Sequence, residues 1–402
     1  MTVHAIPTKR DVLIAAGITA ALMLAAVFTM VRSSRCEGTD FIGVYTPALL
    51  LREGQVSEVY NPEAQGKLQN ELFHRPSVLL GIQPPFEIAL IAPLTKLTYG
   101  KAYAVLGAIE VALWMLFMYF LRLYAPVPRN TLRYLLFCSL FFPAWVALLQ
   151  GQPSIMMLGF WALTFVFMKR RQDFWGGVFL GLGLFKFAVA LPFALICLLR
   201  GKWKLLGGFA CAALLLGGLA VAVVGVSGVH AYVDLLLDIT RNPNNPAYRC
   251  IEPLKMPTLR GFLNVTLAGR MGSGFINGAA GLLSIPLIAF MAWRWRREDR
   301  RADGGSPDLM FAASLAASVA VAPHLLTHDL TVILLPVLLV IGSPKLYRKW
   351  ACGLIITVSV VILFVPLYIF FVPHGGLFLL GPVLLAFALA ASQISMAGGQ
   401  EV

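Results

Sequence analysis

An acidic residue stands at the start of the first long polar interval of the chain. Asp40 comes just past the apolar segment 12–31, whose length is close to the roughly 20 residues that cross a bilayer. An ionisable side chain at a membrane border is costly, which makes it a functional candidate by default. A carboxylate placed there can act as a general base and take a proton from an attacking hydroxyl. The alternative is that Asp40 caps or opens the following helix, where the helix dipole favours an acid.

A lysine lies in the middle of a later apolar interval. Lys186 is too far from either end of the run 174–199 for its ammonium to reach water easily along its own stem. A buried ammonium requires an anion, and the phosphate of a lipid that enters between helices is a suitable partner. Helices break at membrane depth only where they line a cavity, so we expect a cavity beside Lys186.

Two histidines and an acid occur together after a predicted helix break. His324 and His328 are four residues apart, so on a helix they would share a face and could hold a metal. Capping or hydrogen bonding within the loop, with Asp329, is a second explanation. Contact with a phosphate or a sugar is the third, and the spacing leaves all three open.

Other polar residues lie in predicted outer segments. Gln152 belongs to a turn between two apolar runs, and turn formation alone accounts for it. Arg241, Arg249, Lys255 and Arg260 fall in or beside a long outer interval and depart from the positive-inside pattern. Long loops carry such charges freely, but binding of an anionic headgroup explains them equally well. Tyr45, on the helix after Asp40, is grouped with Arg241 and Arg249 as a contact for an acceptor or a headgroup.

The composition is that of a polytopic α-helical membrane protein. Of the 402 residues, 59% are hydrophobic and 13% are charged, with a mean hydropathy of +0.79, whereas soluble domains carry about 25% charged residues. Long apolar runs exclude an outer-membrane barrel, whose strands alternate weakly. The net charge of +13 falls in short loops, which fits the positive-inside rule, and no basic tract interleaved with aromatics indicates a nucleic-acid partner.

The basic loops predict the topology. The run 12–31 is too long for the core of a signal peptide and lacks a small-residue cleavage site, so we expect an uncleaved first span that starts inside. Basic residues flank the interval 174–199 at both ends, which predicts two short helices that go out and back and meet at Lys186. With this hairpin the basic loops share one face, and the chain has about twelve spans with both termini inside.

The first outer interval is expected to be largely helical. The apolar spacing in 40–51 predicts an amphipathic helix that lies on the membrane. Asn61 followed by Pro62 predicts the start of another helix, because proline suits a first turn. After a Pro-Pro pair, the apolar stretch 86–97 is too short to span and is expected to be re-entrant.

Several familiar sites are not supported by the sequence. The six cysteines form no C-x-x-C pair, although Cys36 and Cys250 fall in two long polar intervals expected on the same face, where a disulfide can form. No Walker loop and no G-x-S-x-G motif is present. The sequence also contains no D-x-D motif, which argues against a metal-dependent transferase that uses a nucleotide sugar.

A series of short motifs follows in order along nearly the whole chain. They are Asp40-Phe41, the stretches 50–54 (LLREG) and 59–62 (VYNP), 83–86 (QPPF) with 93–94 (PL), 151–154 (GQPS), 181–186 (GLGLFK), and 323–324 (PH) with 328–330 (HDL). This series resembles the GT-C glycosyltransferases. More narrowly, it is similar to family 87, the polyprenol-phosphate-mannose-dependent mannosyltransferases.

The resemblance implies an all-α GT-C-like fold and a single membrane domain over residues 1–402, with outer loops of about 32–98 and 227–273 as the catalytic face. It implies an inverting hexosyltransferase that moves a sugar, mannose first, from a polyprenyl phosphate to a lipid or glycan acceptor. The reaction would take place on the outer face of the cytoplasmic membrane without a metal or other cofactor.

The resemblance also implies roles for individual residues. The catalytic acid of the family maps onto Asp40, and its late histidine maps onto His328. Contacts with the donor phosphate or sugar are assigned to Lys186, His324, His328, Asp329 and Gln152, and contacts with the acceptor or a headgroup to Tyr45, Arg241 and Arg249. Some members carry two adjacent histidines where this chain has His328 and Asp329.

Two alternatives stay open. One is a GT-C transferase of another sugar, such as arabinofuranose or glucose. The other is a transporter or flippase that uses Lys186 and Asp40 as a substrate or proton relay. Transporters often show repeated halves, and no repeat is visible in this sequence.

Overall fold

The computed structural model describes residues 9–74, 78–124, 138–242, 248, 255–267, 269–301, 305–346, 349–364 and 377–395. Within these ranges the chain is helical and forms no β-strand, in agreement with the predicted all-α class. The segment that contains Arg249 and Cys250 lies outside the described residues, so neither the predicted role of Arg249 nor the disulfide is addressed.

The helices are labelled here in chain order. They are α1 Lys9–Arg32, α2 Phe41–Arg52, α3 Pro62–Phe73, α4 Pro85–Ile91, α5 Tyr99–Tyr124, α6 Phe142–Gln150, α7 Ser154–Lys169, α8 Asp173–Leu182, α9 Phe187–Leu199, α10 Trp203–Arg241, α11 Leu259–Leu267, α12 Ser273–Asp299, α13 Pro307–Ala320, α14 Leu334–Ile341, α15 Trp350–Phe364 and α16 Leu380–Ser395. Short 3₁₀ segments at Ala92–Lys96, Gly183–Lys186 and Thr327–Ile333 join some of them.

Four helical runs in the described chain are long and apolar enough to cross a membrane. They are Tyr99–Leu121, Asp173–Leu199, Trp203–Arg241 and Ser273–Asp299. Other apolar helices are shorter, with 10 to 17 residues. The architecture is therefore that of a helical membrane protein, while the count of about twelve spans stays a prediction.

The centre of the molecule is formed by helices without a polar face. In α13 every residue from Leu309 to Ala320 is buried, and in α14 the same holds from Leu334 to Val340. A helix that is apolar all round must be enclosed by others. These two helices flank the 3₁₀ segment Thr327–Ile333, so that segment is held between helices that are buried on all sides.

Helix α2 is present as predicted, but its placement differs from the prediction. All ten residues from Phe41 to Leu50 are buried, so α2 does not lie on a membrane surface with one wet face. Its sequence has apolar residues on every side, which requires enclosure. Gly43 allows the backbone carbonyl of Leu79 to approach to 3.1 Å from the position of a β-carbon.

Helix α3 orders the extended segment that leads to α4. Its start is capped by Asn61, whose Oδ1 accepts from the backbone N–H of Glu63 at 3.0 Å, as the Asn-Pro pair predicts. Two buried glutamines on α3 then bond the extended backbone. Gln65 Oε1 accepts from the N–H of Gly81 at 2.7 Å, and Gln69 bonds both backbone groups of Leu79. These bonds give the extended backbone the hydrogen-bond partners that a neighbouring strand would supply in a β-sheet.

The chain reverses at Lys186. Asp173, at the start of α8, and Arg200, just past α9, line one cavity, while Lys186 between them lines another. The run Asp173–Leu199 therefore goes out and back, although by length alone it would count as one span. The backbone of Lys186 leaves helical geometry there, with φ −124° and ψ 66°. This is the geometry expected from the basic residues at both ends.

Helix α10 bends over the functional end of the molecule. Gly225 has φ 70° and ψ 174°, which interrupts the helix and is a conformation that glycine adopts without strain. Beyond this kink, Leu236 and Leu237 form part of a cavity wall. Before it, α10 packs tightly on α8, where a β-carbon on Gly177 would lie 1.8 Å from the carbonyl oxygen of Leu205.

Candidate active site

A cavity of about 340 Å³ lies where several segments of the chain meet. Its walls come from the start of α2, the extended segment before α4, the turn at Lys186, the end of α10, the facing parts of α11 and α12, and the segment before Thr327. Of the residues predicted to form the site, the cavity brings together Asp40, Gln152, Lys186, His324, His328 and Asp329. Motifs separated by almost 300 residues of sequence thus share one space.

Asp40 presents its carboxylate to this cavity. Its side chain is 36% exposed, and it makes no capping hydrogen bond to α2 within the described chain. The backbone N–H of Asp40 donates to Oε1 of Gln150 at 2.9 Å, which fixes the residue while leaving the carboxylate open. The capping explanation therefore does not account for this acid, and the carboxylate is available to a hydroxyl.

His328 stands between two acids. Its Nδ1 lies 3.7 Å from Oδ2 of Asp40, and its Nε2 lies 3.3 Å from Oδ1 of Asp329. The imidazole is buried, with 5% of the side chain exposed. One ring thus links the candidate base to the carboxylate behind it, an arrangement that orients an imidazole.

Asp329 is the most heavily bonded group of the site. Its Oδ1 lies 3.1 Å from Nζ of Lys186 and accepts from the hydroxyl of Ser154 at 3.3 Å. Its Oδ2 accepts from the backbone N–H of Leu326 at 3.1 Å, which caps the following segment. Asp329 therefore has two kinds of contact: Oδ2 caps the following segment, and Oδ1 pairs with Lys186. The ammonium of Lys186, whose side chain is 23% exposed, therefore has its anion within the protein.

Glu87 is a buried acid that sequence reasoning did not single out. It lies on α4, is 1% exposed and lines the cavity. Neither carboxylate oxygen has a hydrogen-bond partner among the described residues. Burial raises the pKa of Glu87 to about 7, against the opposing effect of the Lys186 ammonium.

Other acceptors in the cavity also lack partners. The Oε1 atoms of Gln83 and Gln152 are buried, and neither accepts a hydrogen bond within the described chain. Nδ1 of His324 is in the same condition. Burial lowers the pKa of His324 to about 4, so this imidazole is neutral at neutral pH. Unpaired buried acceptors are unfavourable, so such a group indicates a ligand that donates hydrogen bonds.

Arg260 brings a second cation to the cavity. It lies on α11, where its Nε donates to Oδ1 of Asn277 at 2.9 Å and its Nη1 donates to the backbone carbonyl of Pro323 at 2.7 Å. Asn264 and Ser273 line the wall beside it. The sequence offered a weak signal for Arg260, since it is a basic residue beside an outer interval. For Glu87, the sequence shows the Pro-Pro-Phe-Glu stretch, but it does not show that the glutamate side chain is buried.

Some predicted residues fall elsewhere. Tyr45 is buried outside the cavity wall and donates its hydroxyl to the carbonyl of Leu97 at 3.1 Å. Arg241 is exposed at the end of α10 and does not line the cavity. His324 precedes the segment that carries His328, so the two do not share a helix face. In the described part of the chain, no group of three His, Cys, Asp or Glu side chains is arranged to hold a metal.

Comparison with known proteins identifies the family. A search among curated proteins and among solved structures finds no match. The family model described as glycosyltransferase family 87 matches residues 82–323, more than half of the 402 residues. The matched region contains Glu87, Lys186 and Arg260, whereas Asp40 lies before it and His324 and His328 lie after it. The chain belongs to glycosyltransferase family 87.

Proposed function

We propose that the chain transfers a hexose from a polyprenyl phosphate to a hydroxyl of a lipid or glycan acceptor. Mannose is the leading candidate for this hexose. The observation that carries this proposal is the pairing of an open carboxylate, Asp40, with a cavity of unpaired acceptors and two cations. The acceptors suit the hydroxyls of a sugar, and the cations suit a phosphate. Family membership supports glycosyl transfer itself.

The proposed reaction is a single displacement. The acceptor oxygen attacks the anomeric carbon while Asp40 removes its proton, and the bond from that carbon to the phosphate oxygen breaks. The electron pair of this bond leaves with the lipid phosphate, so the configuration at the anomeric carbon inverts. Positioned donors and cations stabilise the charge that develops on the leaving oxygen. A general base of this kind contributes about 10²–10⁴ to a rate.

In this proposal His328 orients the base. The imidazole lies between Asp40 and Asp329 and holds their relative positions. Lys186 fixes Asp329 on its other side and adds positive charge to the donor end of the cavity. Asp40, His328, Asp329 and Lys186 thus form one connected series of contacts.

The sugar is proposed to lie against the buried acceptors. Glu87, Gln83 and Gln152 offer oxygen atoms without partners in the described chain, and a hexose offers several hydroxyl donors. In this proposal Gln152 keeps its predicted role as a contact for the donor. Tyr45, by contrast, has its hydroxyl committed to Leu97, so we do not assign it to the acceptor.

The proposed location is the cytoplasmic membrane, with the cavity on its outer face. The other end of the molecule carries Lys169, Arg200 and Lys202 around the acids Asp299 and Asp308. Positive charge marks the cytoplasmic side of membrane proteins. The cavity lies at the opposite end of α7 from Lys169, which supports an outward-facing cavity in this orientation.

The experiment is a donor panel. The purified full-length protein receives polyprenyl phosphates that carry mannose, glucose or arabinofuranose, with octyl mannoside as the acceptor, and release of polyprenyl phosphate is measured. We expect release from the mannose donor and a product of inverted anomeric configuration. Preference for another sugar would correct the donor assignment. The Asp40→Asn protein gives the background release. If wild type releases no more polyprenyl phosphate than this variant from any donor, the proposed transfer is contradicted.

A further inference from the structure

We propose that Arg260 is the residue that binds the phosphate of the lipid-linked donor. Lys186, by contrast, neutralises acidic side chains of the protein itself. This inference rests on the proposed function and adds a residue to it. It follows from which charges in the cavity are already matched and which are not.

The charge of Lys186 is matched inside the protein. Its Nζ lies 3.1 Å from Asp329, whose side chain is 7% exposed, and the buried carboxyl of Glu87 is close enough to influence the same ammonium. An incoming phosphate would have to compete with these acids for Lys186. Breaking a buried ion pair is strongly unfavourable, because one charge is left without compensation.

The charge of Arg260 is not matched in this way. Its two acceptors among the described residues, the amide oxygen of Asn277 and the carbonyl of Pro323, are both neutral. Among the described residues, no carboxylate lies within ion-pair distance of its guanidinium. The residue nevertheless lines the cavity. An arginine with a full charge and neutral neighbours is a site for an anion.

The two bonds also orient the guanidinium. Because Nε and Nη1 are held, the planar group is fixed, and Nη2 is left to donate. Arginine carries five N–H donors in a rigid fork that fits phosphate oxygens. A fixed fork loses little freedom when it binds, so the contact is stronger than one from a mobile lysine.

The surroundings of Arg260 suit a phosphate. Asn264, Ser273 and Asn277 line the same wall and supply neutral polar groups without adding a competing negative charge. His324 follows Pro323 directly, and its neutral imidazole adds no repulsion. The acids Asp40, Glu87 and Asp329 belong to other segments of the wall. The cavity therefore has one part that suits hydroxyls and another that suits an anion.

A purely structural role for Arg260 makes a different prediction. Its bonds connect α11 with α12 and with the segment before His324, so a tie between elements is the competing explanation. A tie would affect the stability of the protein and every ligand equally. A phosphate contact would affect only ligands that carry a phosphate.

The test compares two lipids with the same tail. Binding of a polyprenyl monophosphate and of the matching polyprenol is measured on the purified full-length protein, for wild type, Arg260→Gln and Lys186→Gln. We expect wild type to prefer the phosphate, and Arg260→Gln to bind it at least about tenfold more weakly with unchanged binding of the alcohol. Lys186→Gln should keep a larger share of the preference.

The controls separate the outcomes. Asn277→Ala removes one anchor but keeps the charge, so a loss as large as that of Arg260→Gln would favour the tie. If Arg260→Gln does not fold, Arg260→Lys keeps the charge without the fork, and an unchanged preference there would overturn the inference. Phosphatidylglycerol vesicles are added as a competitor, and equal displacement would assign Arg260 to a phospholipid headgroup instead.

The result also distinguishes the two proposals. If wild type shows no preference for the phosphate over the alcohol, the proposed donor class is wrong. If wild type shows the preference and Arg260→Gln retains it, only the role of Arg260 is wrong.

Discussion

Two charged regions at opposite ends of α7 differ in how their charges are balanced. Ser154, at the start of this helix, bonds Asp329 in the cavity, and Lys169, at its end, lies 2.6 Å from Asp308. With a rise of about 1.5 Å per residue, the two ends are about 22 Å apart. The second region, which we call the Arg200 cluster, contains Lys169, Arg200, Lys202, Asp299 and Asp308.

In the Arg200 cluster each of the three cations has an acid beside it. Arg200 lies 2.8 Å from Asp299 and stacks on Trp295, with its guanidinium carbon 3.5 Å from the ring centre, and Lys202 lies 3.4 Å from Asp299. In the cavity, by contrast, Lys186 and Asp329 are paired, while neither Glu87 nor Arg260 has an oppositely charged side chain within ion-pair distance among the described residues. Ion pairs within the protein stabilise its structure, whereas a charged group without an ion-pair partner in a cavity marks a candidate site for a ligand.

The largest effect is expected from the open carboxylate. Asp40→Asn keeps the size of the side chain but removes its proton affinity, so we expect the turnover rate to fall by about 10²–10⁴. Stability should change by less than about 1 kcal/mol, because the carboxylate caps nothing. Turnover with the mannose donor and thermal unfolding measure the two quantities. A variant that folds normally and transfers sugar at nearly the wild-type rate would make Asp40 a structural residue.

An intermediate effect, with opposite signs for stability and binding, is expected from Glu87. Its pKa rises from 4.5 to about 7 on folding, so the folded state holds the proton more tightly. Folding stability therefore falls as pH rises from about 4.5 to 7 and stays reduced above that range. Glu87→Gln removes this penalty and should stabilise the protein by up to about 3 kcal/mol at pH 8, with little gain near pH 4.5.

The same substitution should weaken the donor. An amide accepts hydroxyl hydrogen bonds less strongly than a carboxylate, so donor affinity should fall by about tenfold at pH 8. Thermal unfolding at both pH values and donor titration at pH 8 test the pair of effects. A stabilised protein with unchanged donor affinity would show that Glu87 does not contact the sugar.

The smallest effect is expected in the Arg200 cluster. Lys169 and Asp308 are 38% and 26% exposed, so solvent screens their interaction. Lys169→Met should lower the free energy of unfolding by at most about 1 kcal/mol and leave donor turnover unchanged. Urea unfolding beside a turnover assay measures both. A strong loss of turnover would show that the two ends of α7 are coupled, and the contrast between the regions would then fail.

Sequence reasoning succeeded where the signal is local. The helix that begins at Asn61-Pro62 depends on neighbouring residues, and it was found as predicted. The reversal at Lys186 was predicted from basic residues at both ends of one apolar interval, and the ends do come together. Helix α2 was predicted at the right residues, but it is buried in the protein and does not lie on the membrane surface. The spacing of its apolar residues does not indicate which other segments pack against it.

Site residues were harder to predict for the same reason. Asp40, Lys186 and His328 were identified individually, because ionisable residues in apolar surroundings are conspicuous. Their mutual contacts were not visible, and Tyr45 was assigned a role although its hydroxyl bonds Leu97. Glu87 was overlooked because it lies at the edge of the apolar stretch 86–97, where its neighbours in the chain do not reveal that it is buried.

The sequence by itself determined the membrane class, the helical composition and the candidate base, since these follow from composition and from residues close together in the chain. Only the tertiary structure decided which charges are matched. Ser154 and Asp329, 175 residues apart, meet in the cavity, and Lys186 meets the same carboxylate. Arg260 is left with neutral partners. Charge compensation depends on distance and burial in space, and neither is encoded in local spacing.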